Sequence, residues 1–495
     1  MSFAANLPLF CIVACLVCSV VSSVLNGKAA RYLSMALCAG CCICSFLVLQ
    51  MVLQLGEPVT YIMGHFPHPW GNEIRMGILE SLFSSVFSLV MLLCLMGGKI
   101  RLQLDLAEDK RHFYFVMTDL IQASLLVLCY TNDIFTGYVF IEICTLATCS
   151  LLMIRQLGRT TLAAVRYMIF SLIGSGLFLL GVTILYNITG HLLLPSLHDS
   201  VAALYESGQY HIPLSTSICL ITVGLAIKSG LFPFHYWMPD TYGYSTPCSS
   251  GILSGLVSKG YIFFLLKVIF SGFGADVFYR SGMQNVLFLF GLCGMIFGSI
   301  GAIQENDIFR MLANSSAAQI GYVYLGIGIS PEAGVIGALY HILAHAITKP
   351  VLFLSASRLS DAAGGSKRFK DLQGSGYCFP MAGFAFSLGA LSMIGIPLTM
   401  GFMLAEAGLS AGWHTVPTLL VLALSTILNT FYFARTIIRL YTPGTPMASA
   451  AVRKAQPPFA VSALCFSLMN LAAGIFASPL LSLLRQGLTL FGKVG

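Results

Sequence analysis

Long apolar runs alternate with short polar connections along the whole chain. Each run is close to the roughly 20 residues that a helix needs to cross a bilayer. A bilayer hosts helices or closed barrels, and runs this long and apolar indicate helices. The pattern predicts an all-α polytopic membrane protein with about 14 transmembrane helices, at 8–26, 33–55, 76–98, 113–130, 134–154, 165–187, 214–237, 248–272, 285–303, 309–328, 333–357, 379–406, 414–434 and 457–483.

Composition agrees with this pattern. Of the 495 residues, 57% are hydrophobic and only 9% are charged, whereas a soluble globular chain is about 25% charged. Too few charges are present to cover a soluble surface, which excludes an ordinary soluble enzyme, a disordered chain and a nucleic-acid binder. The basic residues behind the net charge of +7 lie mostly in the odd-numbered loops. The positive-inside rule then predicts that both termini face away from the cytoplasm.

Two of the predicted helices carry a proline next to glycine at membrane depth. Pro233 lies in the seventh (GLAIKSGLFPFHYWMPD) and Pro397 in the twelfth (SMIGIPLTM). Broken helices in comparable positions are typical of inverted repeats with a pathway between them. We therefore predict N-terminal helices in 1–112, a first inverted repeat in 113–272, a second in 285–434, and a last helix with a tail in 457–495.

Ionisable side chains within the predicted spans are the candidate functional groups, because each costs about 3 kcal/mol at the bilayer centre. Glu142 has apolar neighbours on both sides, and Lys228 precedes the first break. The alternatives are a neutral glutamate that only packs helices and a lysine that only binds freed carbonyls. Three further groups lie nearer to span ends and are expected to reach the interface: Asp119, Lys267 and Glu406.

A second polar group follows in the central and eleventh helices. Lys259 lies in mid-span, and His341, His345 and Lys349 recur at every fourth position, which places them on one helical face. Histidine passes protons near neutral pH. A metal site on the histidine pair is disfavoured because the third group is a cation, and a purely structural polar stripe is the other alternative. We expect no metal and no cofactor, since no nucleotide-binding or haem-attachment motif is present.

Four ordered segments resemble one family. TNDIFTGYVFIEICTLA (131–147), KSGLFPFHYWMPDTYGYSTPCSSGILSGLVSKGYIFFLLK (228–267), AIQENDIFRMLANSSAAQIGY (302–322) and HILAHAITKPVLF (341–353) are similar to hallmarks of the proton-translocating, antiporter-like subunits shared by Mrp-type cation/proton antiporters, respiratory complex I and membrane-bound hydrogenases. The resemblance implies that Glu142 pairs with Lys228 of the broken seventh helix. It also implies that Lys259 is the central lysine of the eighth helix, and that the eleventh-helix face continues the pathway.

One position departs from the family pattern. The family has an ionisable residue on the twelfth helix where this chain has Ala405, and the nearest acid is Glu406. Two hypotheses follow: Glu406 serves as the terminal group of the pathway, or the exit half is altered.

The resemblance implies a subunit that translocates protons, or exchanges Na⁺ for protons, in the inner (plasma) membrane. The preferred hypothesis is a subunit of an Mrp-type antiporter. The alternatives are the ion-pumping subunit of a complex I-type NADH:quinone oxidoreductase or a membrane-bound hydrogenase, and a structural subunit with an impaired conduction path. The expected partners are other membrane subunits, the lipid bilayer and protons or Na⁺, without nucleic acid.

Overall fold

The computed structural model describes residues 3–66, 71–396, 399, 415–443 and 457–492. Pro397, Ala405 and Glu406 lie outside these residues. The described chain is built from helices, with one two-stranded antiparallel sheet of β1 (Val59–Ile62) and β2 (Glu73–Met76). The prediction of an all-α polytopic membrane protein is confirmed.

The helices follow the apolar runs. In chain order they are α1 (Leu7–Val24), α2 (Gly27–Leu55), α3 (Ile78–Gly97), α4 (Lys99–Asp105), α5 (Arg111–Tyr130), α6 (Ile134–Met153), α7 (Gly158–Thr189), α8 (Leu194–Ser207), α9 (His211–Ser229), α10 (Met238–Tyr244), α11 (Pro247–Phe273), α12 (Ala275–Arg280), α13 (Met283–Gln304), α14 (Ile308–Ile329), α15 (Ala333–Ala362), α16 (Ser375–Cys378), α17 (Pro380–Ile394), α18 (Thr415–Tyr441), α19 (Pro457–Ile475) and α20 (Ala477–Phe491). Short 3₁₀ turns lie at Phe3–Asn6, Met63–His65, Glu108–Lys110 and Phe234–Trp237.

Among the described residues, 12 helical segments are long and apolar enough to cross a membrane. They match the predicted positions of every span except the tenth and twelfth. The tenth is α14, a helix of 22 residues, and the twelfth begins as the shorter apolar helix α17.

The last predicted span differs from the structure. The run 457–483 is not one helix, because α19 ends at Ile475 and α20 begins at Ala477. Arg75 caps the far end of α20, since its guanidinium donates to the carbonyls of Leu490 at 2.5 Å and Phe491 at 3.0 Å. The C-terminal part of the chain is therefore tied to the β1–β2 hairpin.

Loops with odd numbers meet at one end of the molecule. Arg101 lies 3.0 Å from Asp361, and Arg155 lies 3.5 Å from Asp105. These ion pairs join the connections that follow the third, fifth and eleventh predicted helices. The alternation of loops deduced from the basic residues agrees with this arrangement.

Close backbone packing holds α7 against α9. A β-carbon on Gly224 of α9 would lie 2.6 Å from the carbonyl oxygen of Gly174 and 2.8 Å from the backbone nitrogen of Phe178. Small residues at such contacts let membrane helices approach each other closely. The contact fixes α9 one turn before Lys228.

We expect Gly224→Ala to lower the free energy of unfolding by about 1–3 kcal/mol, because two backbones must separate to admit the methyl group. Gly176→Ala is the matched control, since its β-carbon would meet open space on α7. Thermal unfolding in detergent measures both. Equal melting temperatures for the two variants would contradict the packing argument.

Candidate functional site: a chain of buried ionisable groups

Glu142 and Lys228 form an ion pair between α6 and α9. The Lys228 ammonium lies 3.3 Å from Oε1 of Glu142 and donates to Oγ1 of Thr145 at 2.8 Å. Ser175 of α7 donates to the same carboxylate oxygen. The Lys228 side chain is fully buried, whereas the Glu142 side chain is 24% exposed. The predicted pair therefore exists, with its carboxylate at the edge of the bundle.

The helix ends immediately after this lysine. Gly230 adopts a left-handed conformation with φ 84°, and its N–H bonds to the carbonyls of Ala226 and Ile227. Glycine adopts this conformation without strain. The chain passes Pro233 and resumes at α10, as predicted for a broken seventh helix. In α17, Gly395 ends the helix in the same way with φ 91°.

Lys259 is completely buried in α11. Its ammonium donates to the carbonyl of Ser254 at 2.8 Å and to the hydroxyl of Ser258 at 3.0 Å. Leu253–Val257 forms a π-helical turn just before it, a distortion that is frequent at functional sites. The described residues give this lysine hydrogen-bond acceptors but no carboxylate.

Lys349 has a similar environment on α15. It is completely buried and donates to the carbonyl of Leu312 at 3.0 Å and to the hydroxyl of Ser315. Both acceptors belong to α14. Lys349 lies near enough to Lys259 for their charges to repel each other, and among the described residues both amines have only neutral acceptors.

His341 and His345 lie on the same face of α15 as Lys349. The His341 ring stacks on Tyr322 with 5.4 Å between centroids. Both ring nitrogens of His345, and Nε2 of His341, are buried without a hydrogen-bond partner among the described residues. The side chains of this face point into the protein, as the helical spacing predicts.

A small cavity of about 10 Å³ lies between Lys228 and Ser258, the hydroxyl that binds Lys259. Thr148 and Tyr167 also line it, and both of their hydroxyl oxygens are buried without a partner in the described structure. About 10–15 Å³ holds one water molecule. The cavity thus lies between the first pair and the hydroxyl that binds the central lysine, although its lining is mostly apolar.

The segment after the break is anchored by charges at its far end. Asp240 of α10 contacts the guanidinium of Arg310 at 2.5 Å and that of Arg166. Arg310 also bonds to Glu305 at 3.0 Å. Asp240 therefore ties α10 to both α7 and α14.

Lys367, in the loop after α15, adds a second link to α10. Its ammonium donates to the carbonyl of Gly243 at 2.7 Å and lies 4.0 Å from the centre of the Phe309 ring. Burial lowers the pKa of Lys367 to about 8, although the negative charge of Asp307 acts to raise it. This loop is thus packed against the site rather than free in solution.

A buried triad of charges was missed by the sequence analysis. Glu80 of α3 accepts from Arg75 at 3.2 Å and lies 3.6 Å from the Lys267 ammonium. All three side chains are at most 5% exposed. Glu80 stands near the start of an apolar run, a position at which an acid normally reaches water, so the sequence carries no signal for its burial.

Two expectations about span ends are wrong. Lys267 does not reach the interface but is completely buried beside Glu80. Asp119 is 1% exposed and accepts a hydrogen bond from Ser22 of α1 at 3.1 Å. Both groups find partners on helices that are remote in sequence, which a linear pattern does not display.

Known proteins share this sequence pattern and this fold. The profile of the family described as "NADH:quinone oxidoreductase/Mrp antiporter, TM" matches residues 131–430. The chain belongs to this family.

Individual relatives agree with the profile. The chain is 34% identical to an NADH-quinone oxidoreductase subunit N from Desulforudis audaxviator, over 83% of this chain and 81% of that protein. It is 27% identical to the D-type subunit of a Na(+)/H(+) antiporter from Alkalihalophilus pseudofirmus, over 69% of this chain and 67% of the relative. A chain of the Mrp complex from a Dietzia species superposes with a TM-score of 0.86 at 23% identity, covering 100% of this chain and 98% of that one.

We expect Glu80→Gln to destabilise the protein by about 3–5 kcal/mol, because it leaves the Arg75 and Lys267 charges buried without a compensating carboxylate. Thermal unfolding in detergent measures this loss. Glu57→Gln, which changes an exposed acid near the same end of the molecule, is the control. An unchanged melting temperature for Glu80→Gln would contradict the structural role of the triad.

Proposed function

We propose that this chain translocates protons across the membrane as one subunit of a multisubunit complex. The pathway comprises six groups within the spans: Glu142, Lys228, Lys259, His341, His345 and Lys349. The observation that carries the proposal is the ion pair of Glu142 and Lys228 beside a helix break. Because the two residues lie on separate helices, the pair can open, and the proton affinity of Lys228 then falls. The oxidoreductase and antiporter relatives support the same class of function.

The attraction within the ion pair determines how strongly Lys228 holds its proton. Two unit charges 3.3 Å apart attract by about 5 kcal/mol at an effective dielectric constant near 20. The partial exposure of Glu142 screens part of this. Separation of the pair removes that attraction, so Lys228 then releases its proton more readily.

The small cavity beside Ser258 supplies the next step. The cavity separates Lys228 from Ser258, and transfer between them would require a water molecule to enter it when the ion pair opens. The proton then reaches Lys259, and the repulsion between Lys259 and Lys349 drives it along α15. Glu406 stays the candidate terminal group.

Membrane location belongs to the same proposal. The spans make this a multi-pass membrane protein, and we infer the inner (plasma) membrane with both termini on the non-cytoplasmic side. Support comes from the basic residues, most of which lie in loops that meet at one end. Activity of a phosphatase fused to the C-terminus, which requires export, would report the orientation.

We expect Lys228→Ala to reduce proton translocation by the assembled complex at least about tenfold, a change of about 1.4 kcal/mol in barrier height. Proton uptake into vesicles, measured with a pH-sensitive dye, gives the rate. Co-purification of the other subunits shows whether assembly is intact.

The Lys228→Arg variant distinguishes a role of this residue in proton transfer from a purely structural role. Arginine preserves the ion pair with Glu142 but does not release its proton, so we expect normal assembly with the same loss of transport. Lys370→Ala, in an exposed part of the loop after α15, should leave both unchanged. Full proton coupling in Lys228→Arg would refute the relay role.

Two parent complexes agree with this function. The resemblance of the motifs favours an Mrp-type antiporter. The sequence identities favour an NADH:quinone oxidoreductase instead, because the oxidoreductase relative is 34% identical and the antiporter relative 27%. We expect the chain, purified from its native membrane, to bring down iron–sulfur and flavin subunits. Recovery of small antiporter subunits alone would instead assign it to an antiporter.

A further inference from the structure

A cavity of about 590 Å³ opens at one end of the bundle, away from the proposed pathway. It lies where the turn between α1 and α2 meets α4 and the start of α5. Four basic side chains line it together with two acidic ones: Lys28, Arg31, Lys99, Arg111, Glu108 and Asp109. The cavity thus has an excess of positive charge and no role in the proton pathway.

Arg31 is the unusual member of this set. It is only 7% exposed, and its Nε is buried without a hydrogen-bond partner among the residues described. Its guanidinium lies 4.6 Å from the centre of the Tyr32 ring. A buried guanidinium without a compensating anion is unfavourable, so this side chain is prepared for a negatively charged ligand.

The neighbouring basic side chains differ in how the described part of the protein compensates them. Within the described ranges, neither Lys28 nor Lys99 forms an ion pair with a carboxylate. Arg111 instead bonds to the carbonyl of Gln103 at 2.8 Å and lies 3.7 Å from Glu108, whose side chain is 89% exposed. Arg111 is held by the protein, whereas Arg31 and the two lysines are left for a ligand.

The start of α2 adds a third feature. The helix begins at Gly27, and Asn26 caps it by accepting from the N–H of Ala29 at 2.9 Å. The first N–H groups of a helix have no partner within it, and its N-terminus carries a partial positive charge. Gly27 and Lys28, which carry the first N–H groups of α2, line the cavity together with the basic side chains, and the start of a helix suits a phosphate.

We propose that this cavity binds a phosphate group, carried by the headgroup of an acidic phospholipid. The site lies at the ends of membrane-spanning helices, where lipid headgroups are found, and basic pockets between such helices bind acidic headgroups. Leu102, Leu106 and Phe115 line the same cavity and would contact the glycerol and upper acyl chain. Free phosphate shares the chemistry and is separated by the experiment.

The test uses the full-length chain, purified in detergent and stripped of lipid. Fluorescent phosphatidylglycerol and phosphatidylcholine are titrated separately, and inorganic phosphate is added as a competitor. We expect tighter binding of phosphatidylglycerol than of phosphatidylcholine, and a loss of at least about fivefold in Arg31→Gln. Arg31→Lys, which keeps the charge, should retain most of the affinity.

Lys370→Gln, in an exposed loop, is the matched control and should bind as the wild type does. If Arg31→Gln does not fold, Lys28→Gln combined with Lys99→Gln tests the same cavity from its rim. Binding of inorganic phosphate that Arg31→Gln abolishes, without preference for phosphatidylglycerol, would overturn the lipid assignment and make the ligand soluble. Equal affinities of wild type and Arg31→Gln for both ligands would overturn the site.

Discussion

The bilayer interior supplies no water, so a charge buried between the spans of this protein depends on a partner that the protein itself provides. The cost of a charge without such a partner reaches several kcal/mol. Glu80 meets this requirement, because two cations lie beside its carboxylate, which offsets one of their two charges. Lys259 and Lys349 meet it only in part, since carbonyl and hydroxyl oxygens accept their hydrogen bonds without cancelling their charge. The first arrangement holds helices together, whereas the second leaves the charge of each amine without an opposite charge among the described residues.

Backbone packing also helps to bring the buried charges to their partners. The close contact of Gly174 and Gly224 brings α7 against α9, so that Ser175 and Lys228 both reach the carboxylate of Glu142. The chain can break at Gly230 because the freed backbone groups lie inside the protein rather than in lipid. Beyond the break, Asp240 ties α10 to both α7 and α14. The short segment that contains the break is thereby held at both ends.

Sequence alone identified the parts whose signal is local. Apolar runs located the spans, and an acid or a lysine in such a run identified Glu142 and Lys228 as unusual. The Glu80–Lys267 contact was not predictable in this way, because each residue stands near a span end and the two helices are distant in sequence. Thr148 and Tyr167 carry no signal either, since hydroxyl groups are common in membrane helices and only the fold brings them to one cavity. The division of the last span into α19 and α20 falls within one apolar run, so hydropathy does not register it.

The proposed pathway also contains more basic than acidic groups, and this imbalance favours passing a proton on over retaining it. Three of its groups are amines, whereas Glu142 is its single carboxylate in the part of the chain described. If all three lysines were protonated, the two without a carboxylate would repel each other in a medium of low dielectric constant. A proton on Lys259 therefore disfavours a proton on Lys349, and the reverse. In the proposed pathway, the arrival of a proton at the central lysine would thus favour the release of one from α15.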